Sequence, residues 1–127
     1  MKILVVEDEP SSLKLANLVL AHHGHDVTGA EAVIHALEEI DRSEPEIILL
    51  DLHLGFPDGL TLAHTLKANP ARKHIVIVAV TAYPESYPRD AALAAGCDAY
   101  IVKPINTRML ASQMVDALEA GGPKPNL

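Results

Sequence analysis

Charged and hydroxyl side chains in this chain stand where apolar runs end, places in which a buried strand has no use for them. Glu7-Asp8-Glu9 follows Ile3-Val6, Asp51 follows Ile47-Leu50, Thr81-Ala82 follows Ile75-Val80, and Lys103-Pro104 follows Ala99-Val102. If these runs are parallel strands of one sheet, an acidic pair, a lone carboxylate, a hydroxyl and an ammonium meet in one shallow cleft at its carboxyl edge. Two carboxylates about 4 Å apart repel by roughly 4 kcal/mol at an effective dielectric of about 20. Three together require a raised pKa or a shared cation. Oxygen ligands without a His or Cys cage favour Mg2+, completed by water and substrate phosphate, and disfavour zinc. Asp51, already ionised, can then attack phosphorus and form an aspartyl phosphate with no general base. Phosphoryl transfer mostly needs positioning and charge neutralisation. The metal covers one face of the group, Lys103 a second, and Thr81 donates a hydrogen bond to a third oxygen.

The elements that must position these groups follow from periodicity. Short apolar runs over Ile3-Val6, Asp26-Gly29, Ile47-Leu50, Ile75-Val80 and Ala99-Val102 alternate with segments of helical spacing. Leu13, Ala16, Val19 and Leu20 share one helical face, as do Val33, Ala36, Leu37 and Ile40. Leu62 and Leu66 face inward from a short helix over Leu60 to Ala68, an Ala-rich helix spans Asp90 to Ala95, and Leu110, Met114, Ala117 and Leu118 line a last one. Gly24 and Gly96 sit where helix C-caps belong, Asn69-Pro70 stops the third helix, and Pro10 suits the first turn of the first. Pro88 is expected as the first residue of the fourth helix, and Asn106 or Thr107 as the cap of the last. Short loops between alternating strands and helices give a parallel sheet with right-handed crossovers.

Composition bounds the function. A chain of 127 residues, 49% hydrophobic but only 3% aromatic, forms one domain with an aliphatic core. A net charge of -7 argues against nucleic acid as a direct partner, since that affinity rests on cations meeting phosphate. The single Cys97 excludes an internal disulfide, fits a reducing compartment, and is expected to pack. No apolar run is long enough for a membrane span, and a cytoplasmic protein is expected. The domain is expected over residues 1–120, with a mobile tail over 121–127.

The segments VVEDE, LLDLHLGFPDG, AVTA and AYIVKPI, in this order at successive strand ends, resemble the receiver domain of two-component response regulators from Met1 to about Leu118. The resemblance implies a flavodoxin-like doubly wound α/β fold, a five-stranded parallel sheet of order 2-1-3-4-5 with five helices. It implies Asp51 as phosphoacceptor. Asp8 and Asp51 would bind Mg2+ directly with the backbone carbonyl of His53, and Glu7 through water. Thr81 and Lys103 would hold the phosphoryl oxygens, Thr81 and Tyr100 would form the switch pair, and the Lys103-Pro104 peptide would be cis. The phosphoryl donor would be a histidine kinase or histidine phosphotransfer protein. Output would pass to a protein partner through the face of the fourth helix, fifth strand and fifth helix. The chain would be no enzyme beyond its own phosphorylation and dephosphorylation.

The sequence also departs from that family. Gly55 stands where most members have Pro, and Pro57 comes two residues later. Pro84 and Pro88 fix two φ angles in a loop that usually moves, so its two states are expected to differ less. His53 and Tyr83, at places that tune attack of water in the family, are bulky and imply a long phosphoryl lifetime. Glu9 is explained by favouring a helix N-terminus, and His22, His23 and His25 by flanking a C-cap rather than by a metal. Two rivals remain. A haloacid-dehalogenase-type phosphohydrolase needs an Asp where this chain has His53. A receiver-like module that never takes phosphate rests only on the altered loop.

Overall fold

Five strands alternate with five helices in a computed structural model that describes residues 1–121. They are β1 (Lys2–Val6), α1 (Pro10–His22), β2 (Asp26–Ala30), α2 (Val33–Ser43), β3 (Ile47–Asp51), α3 (Gly59–Ala68), β4 (Val76–Thr81), α4 (Arg89–Ala94), β5 (Ala99–Val102) and α5 (Leu110–Gly121). The strands form one parallel sheet of order β2-β1-β3-β4-β5. The chain steps outward from β1 to β2, then crosses back to β3 on the other side. The order therefore reverses between β1 and β3, and the carboxyl ends of those two strands flank the crevice where such sheets bind ligands.

Alternate residues of each central strand feed two apolar layers, as the two-residue period of a strand requires. Leu4, Val6, Ile48, Leu50, Ile77 and Ala79 pack under α2, α3 and α4. Ile3, Val5, Ile47, Leu49, Val76 and Val78 pack under α1 and α5. β3 and β4 are buried along their whole length, which is why they read as unbroken apolar runs. A fully buried Leu or Ile contributes roughly 1.5–3 kcal/mol, so these strands are the fixed frame of the domain.

Local signals set the helix ends. The Glu9 carboxylate caps α1, accepting from the Ser11 hydroxyl and from the amides of Ser11 and Ser12; the hydroxyl side chains of Ser11 and then Ser12, with the Ser12 amide, hold its pKa down at about 2. Asp58 caps α3 through the amide of Thr61, and Asn69 ends α3. Some expectations shift. Leu37, expected inward, is 38% exposed, because the apolar stripe of α2 runs through Val33, Ala36 and Ile40. β3 extends one residue to take in Asp51, and β4 begins at Val76 rather than Ile75. Pro88 is the N-cap of α4, not its first residue. Asn106 closes a turn ahead of α5: its side-chain oxygen accepts from Arg108 and its carbonyl from Met109 and Leu110. α5 runs through Gly121, and the rest of the expected tail lies outside the described residues. No helix among the described residues is long and apolar enough to cross a membrane.

Candidate functional site

Asp51 ends β3, one of the two strands buried along their whole length, opposite Val80 of β4. One carboxylate oxygen accepts from the His53 amide at 2.9 Å, and the other accepts from the Lys103 ammonium at 3.2 Å. Glu7 and Asp8 follow β1, the neighbour of β3, so their carboxylates arrive beside that of Asp51. Carboxylate oxygens of Glu7, Asp8 and Asp51 lie within 4.8 Å of one another. Glu7 and Asp51 are buried, while Asp8 is exposed.

Lys103 comes from the far end of the sheet. Its amide donates to the Thr81 carbonyl at 2.8 Å as β5 leaves β4, and the Lys103-Pro104 peptide is cis. Its ammonium pairs with both Glu7 and Asp51. Burial, then the neighbouring Asp51, pushes the Glu7 carboxyl above its ordinary value, with Lys103 opposing. Burial works to lower the Lys103 ammonium, but its bond to Glu7 and the charges of Asp51 and Glu7 outweigh that and raise it. One cation thus faces three carboxylates, which leaves a local excess of negative charge.

This donor set is all hard oxygen, open to solvent on the Asp8 side, and fits a divalent cation of the Mg2+ type better than a soft metal. Among the described residues it is the one group of three converging metal-ligand side chains. His23 and His25 are occupied elsewhere, the first with its Nδ1 at 2.9 Å from the Val19 carbonyl oxygen, the second with its Nδ1 at 3.2 Å from the amino terminus.

Glu7, Asp8, Asp51, His53, Tyr83 and Lys103 line one cavity of about 230 Å3. A hollow of about 500 Å3 lies by Leu13, Asn17 and Glu38, so charge rather than size marks the site. Thr81 is fully buried beneath it, and its hydroxyl oxygen accepts from the Tyr83 amide at 2.9 Å. Tyr100 is not brought to the cavity. Its half-buried ring packs against the layer under α4, and its hydroxyl donates to the Tyr87 carbonyl at 2.6 Å. The rim carries rings: His53 and Tyr83 lie 4.7 Å apart between centroids, and His53 and Tyr87 6.0 Å.

The closing Gly59 of the loop after Asp51 is legible in the sequence, but its close approach to Asp51 is not, and neither is a second feature. Gly59 closes the loop after β3 through its amide to the Leu52 carbonyl at 3.1 Å. A Cβ there would lie 2.5 Å from the Asp51 carbonyl oxygen, so only glycine allows the close approach. The second is the Phe56-Pro57 peptide, which is cis. A glycine in a loop advertises neither contact.

The pattern of residues and the order of strands agree with a match to the response regulator receiver domain family model over residues 3–115. The chain belongs to that family. This receiver is 30% identical over 104 residues to the polar-differentiation response regulator DivK of Brucella ovis, covering 82% of this chain and 85% of that one. The CheY-like receiver domain protein of Methanospirillum hungatei is 28% identical, with a TM-score of 0.85 over 93% of each chain. The BeF3-activated N-terminal receiver domain of Klebsiella pneumoniae RstA is 30% identical, with a TM-score of 0.83 over 93% of this chain and 98% of that one. Receivers of this kind are the phosphorylation-controlled switches of two-component systems.

Proposed function

We propose that Asp51 is the phosphoacceptor of this receiver and that a phosphohistidine on a histidine kinase or histidine phosphotransfer protein is its donor. The reading rests on one observation: the buried Asp51 carboxylate shares its surroundings with Glu7 and Asp8 while the Lys103 ammonium touches it. An oxygen of Asp51 attacks phosphorus, the P–N bond breaks, and its electron pair leaves with the imidazole of the donor, which takes up a proton. Asp8, Asp51 and the His53 carbonyl would hold Mg2+ directly, with Glu7 acting through water. Mg2+, when bound, supplies neutralisation of charge on the transferring oxygens. Lys103 keeps its proton and stabilises a second oxygen. The Thr81 hydroxyl accepts from the Tyr83 amide, so its own proton is available to donate. Thr81 and Tyr100 form the switch pair that couples the site to the exposed face of α4, β5 and α5, where a protein partner reads the state.

The chain accordingly turns over no substrate in bulk; it promotes only its own phosphorylation and dephosphorylation. Its acidity, and the lack of a helix among the described residues long and apolar enough to cross a membrane, fit a cytoplasmic protein with no nucleic-acid or membrane contact of its own. The test is incubation with phosphoramidate and Mg2+, followed by intact mass. Gain of one phosphoryl group, abolished by Asp51→Asn and by chelation, is the expected result. Bulk turnover of donor without a stable adduct would identify a hydrolase, and no adduct at all an inert module.

A further inference from the structure

The chain has one Phe and three Tyr and no Trp. Phe56, Tyr83 and Tyr87 stand, with His53, in the loops that follow β3 and β4. Phe56 is 100% exposed. Single exposed apolar residues are ordinary, but this one occupies a particular place. The loop 52–59 leaves Asp51 and returns to it, its two ends joined by the Gly59 amide on the Leu52 carbonyl and by the contact of Gly59 with Asp51 itself. Gly55, with φ of +81°, takes a conformation that side chains rarely adopt, just before the fully exposed Phe56. The ring of Phe56 is therefore carried at the tip of a short loop whose base is the candidate phosphoacceptor. Tyr83, 49% exposed, lines the same cavity as Asp51.

We propose that Phe56, with Tyr83 beside the cavity, is an anchor for the protein that delivers the phosphoryl group, and that it seats in an apolar pocket next to the donor's histidine. The inference rests on Asp51 being the phosphoacceptor. Asp51 is recessed in its cavity, and transfer requires the reacting nitrogen, phosphorus and oxygen to come within about 3–3.5 Å before reaction. A macromolecular donor must lower its surface onto the rim, and the loop 52–59 is part of that rim. A reader of the α4, β5 and α5 face has no such need. Exposed aromatic rings that become fully desolvated are the residues on which interfaces most often depend. A small donor, by contrast, enters the cavity without touching Phe56.

The two donor sizes separate docking from chemistry. Phe56→Ser, and Ile34→Ser on the outer side of α2 as a control of similar chemistry, are compared with the unaltered chain. Each is given phosphoramidate with Mg2+, and separately a purified histidine phosphotransfer domain phosphorylated on its histidine; adduct formation is followed by intact mass and the rate taken against donor concentration. Phe56→Ser is expected to slow transfer from the protein donor about tenfold through weaker half-saturation, the size of a hot-spot truncation. Its rate with phosphoramidate stays within twofold, and Ile34→Ser changes neither. Equal slowing with both donors would overturn the proposal, because the ring would then act on chemistry, as would an unchanged rate with the protein donor. Loss of self-association in Phe56→Ser by sedimentation, with protein transfer intact, would give the ring to a second copy instead and likewise overturn it. If the unaltered chain takes no phosphoryl from phosphoramidate, what fails is the assignment of Asp51.

Discussion

Among the described residues two lysines of this receiver meet carboxylates, and only one of them belongs to a site. Lys67, on α3, donates to the carbonyls of Lys73 and Ile75 and to the Asp98 carboxylate, while Asp98 also accepts from the Ile77 amide. Every proton of that ammonium has an acceptor, and one cation faces one anion. Lys103 is as sheltered, its side chain 19% exposed against 21% for Lys67, yet it faces Glu7 and Asp51 with Asp8 close by. The Lys67 group is closed and neutral and pins the amino ends of β4 and β5 to α3. The Lys103 group is open and short of positive charge. Burial and ion pairing alone thus do not mark function; an unbalanced charge count at the carboxyl edge does.

Replacing each lysine should split the two roles. Lys103→Met should slow phosphorylation by phosphoramidate at least about a hundredfold, the scale of losing one electrostatic stabiliser. Lys67→Met should leave that rate unchanged but cost about 2 kcal/mol in urea unfolding, less than a fully buried pair because Lys67 is partly solvated. A slowed Lys67→Met with unchanged stability would erase the distinction.

Each lysine group also has its glycine. A Cβ at Gly59 would meet the Asp51 carbonyl oxygen at 2.5 Å, whereas at Gly96 it would run into the stem of Lys67, in a backbone with φ of +105°. Gly59→Ala should cost about 2 kcal/mol and slow phosphorylation about tenfold, because the backbone of the acceptor must shift. Gly96→Ala should cost about 1–2 kcal/mol through backbone strain and leave the rate alone. Urea titration and intact mass on the same samples check both.

The smallest effect is in pH. Burial and Asp51 raise the Glu7 pKa above 4.5, so the folded chain holds a proton that the unfolded chain releases. That contribution is fully present below 4.5 and is lost as pH rises through the raised value. Relative to Glu7→Gln, the metal-free chain should therefore lose stability as pH rises from the carboxylate range to neutrality. Mg2+ should restore it, by favouring the ionised form. A urea midpoint that tracks that of Glu7→Gln at every pH would show that Lys103 already balances the site.

Strand and helix boundaries were legible because burial writes a period into the residues: two apolar layers leave unbroken runs in β3 and β4, and one layer leaves a stripe on each helix. Leu37 misled because a stripe wider than the buried face looks the same in sequence. The strand order came with family resemblance, since nothing in β1 states which edge β2 takes.

Which chemical groups follow each strand, and so the kind of reaction the sheet edge can support, is readable from the residues alone, because residue type and strand ends are local properties. It took the folded arrangement to show that Lys103 pairs with Glu7 as well as Asp51, that the Thr81 hydroxyl accepts from the Tyr83 amide while Tyr100 bonds to Tyr87 instead, and that Gly59 lies against the acceptor backbone. The Lys103 pairs join segments far apart in the chain, brought together by packing of the helices on the sheet, while the Thr81, Tyr100 and Gly59 contacts depend on the path each loop takes at the sheet edge.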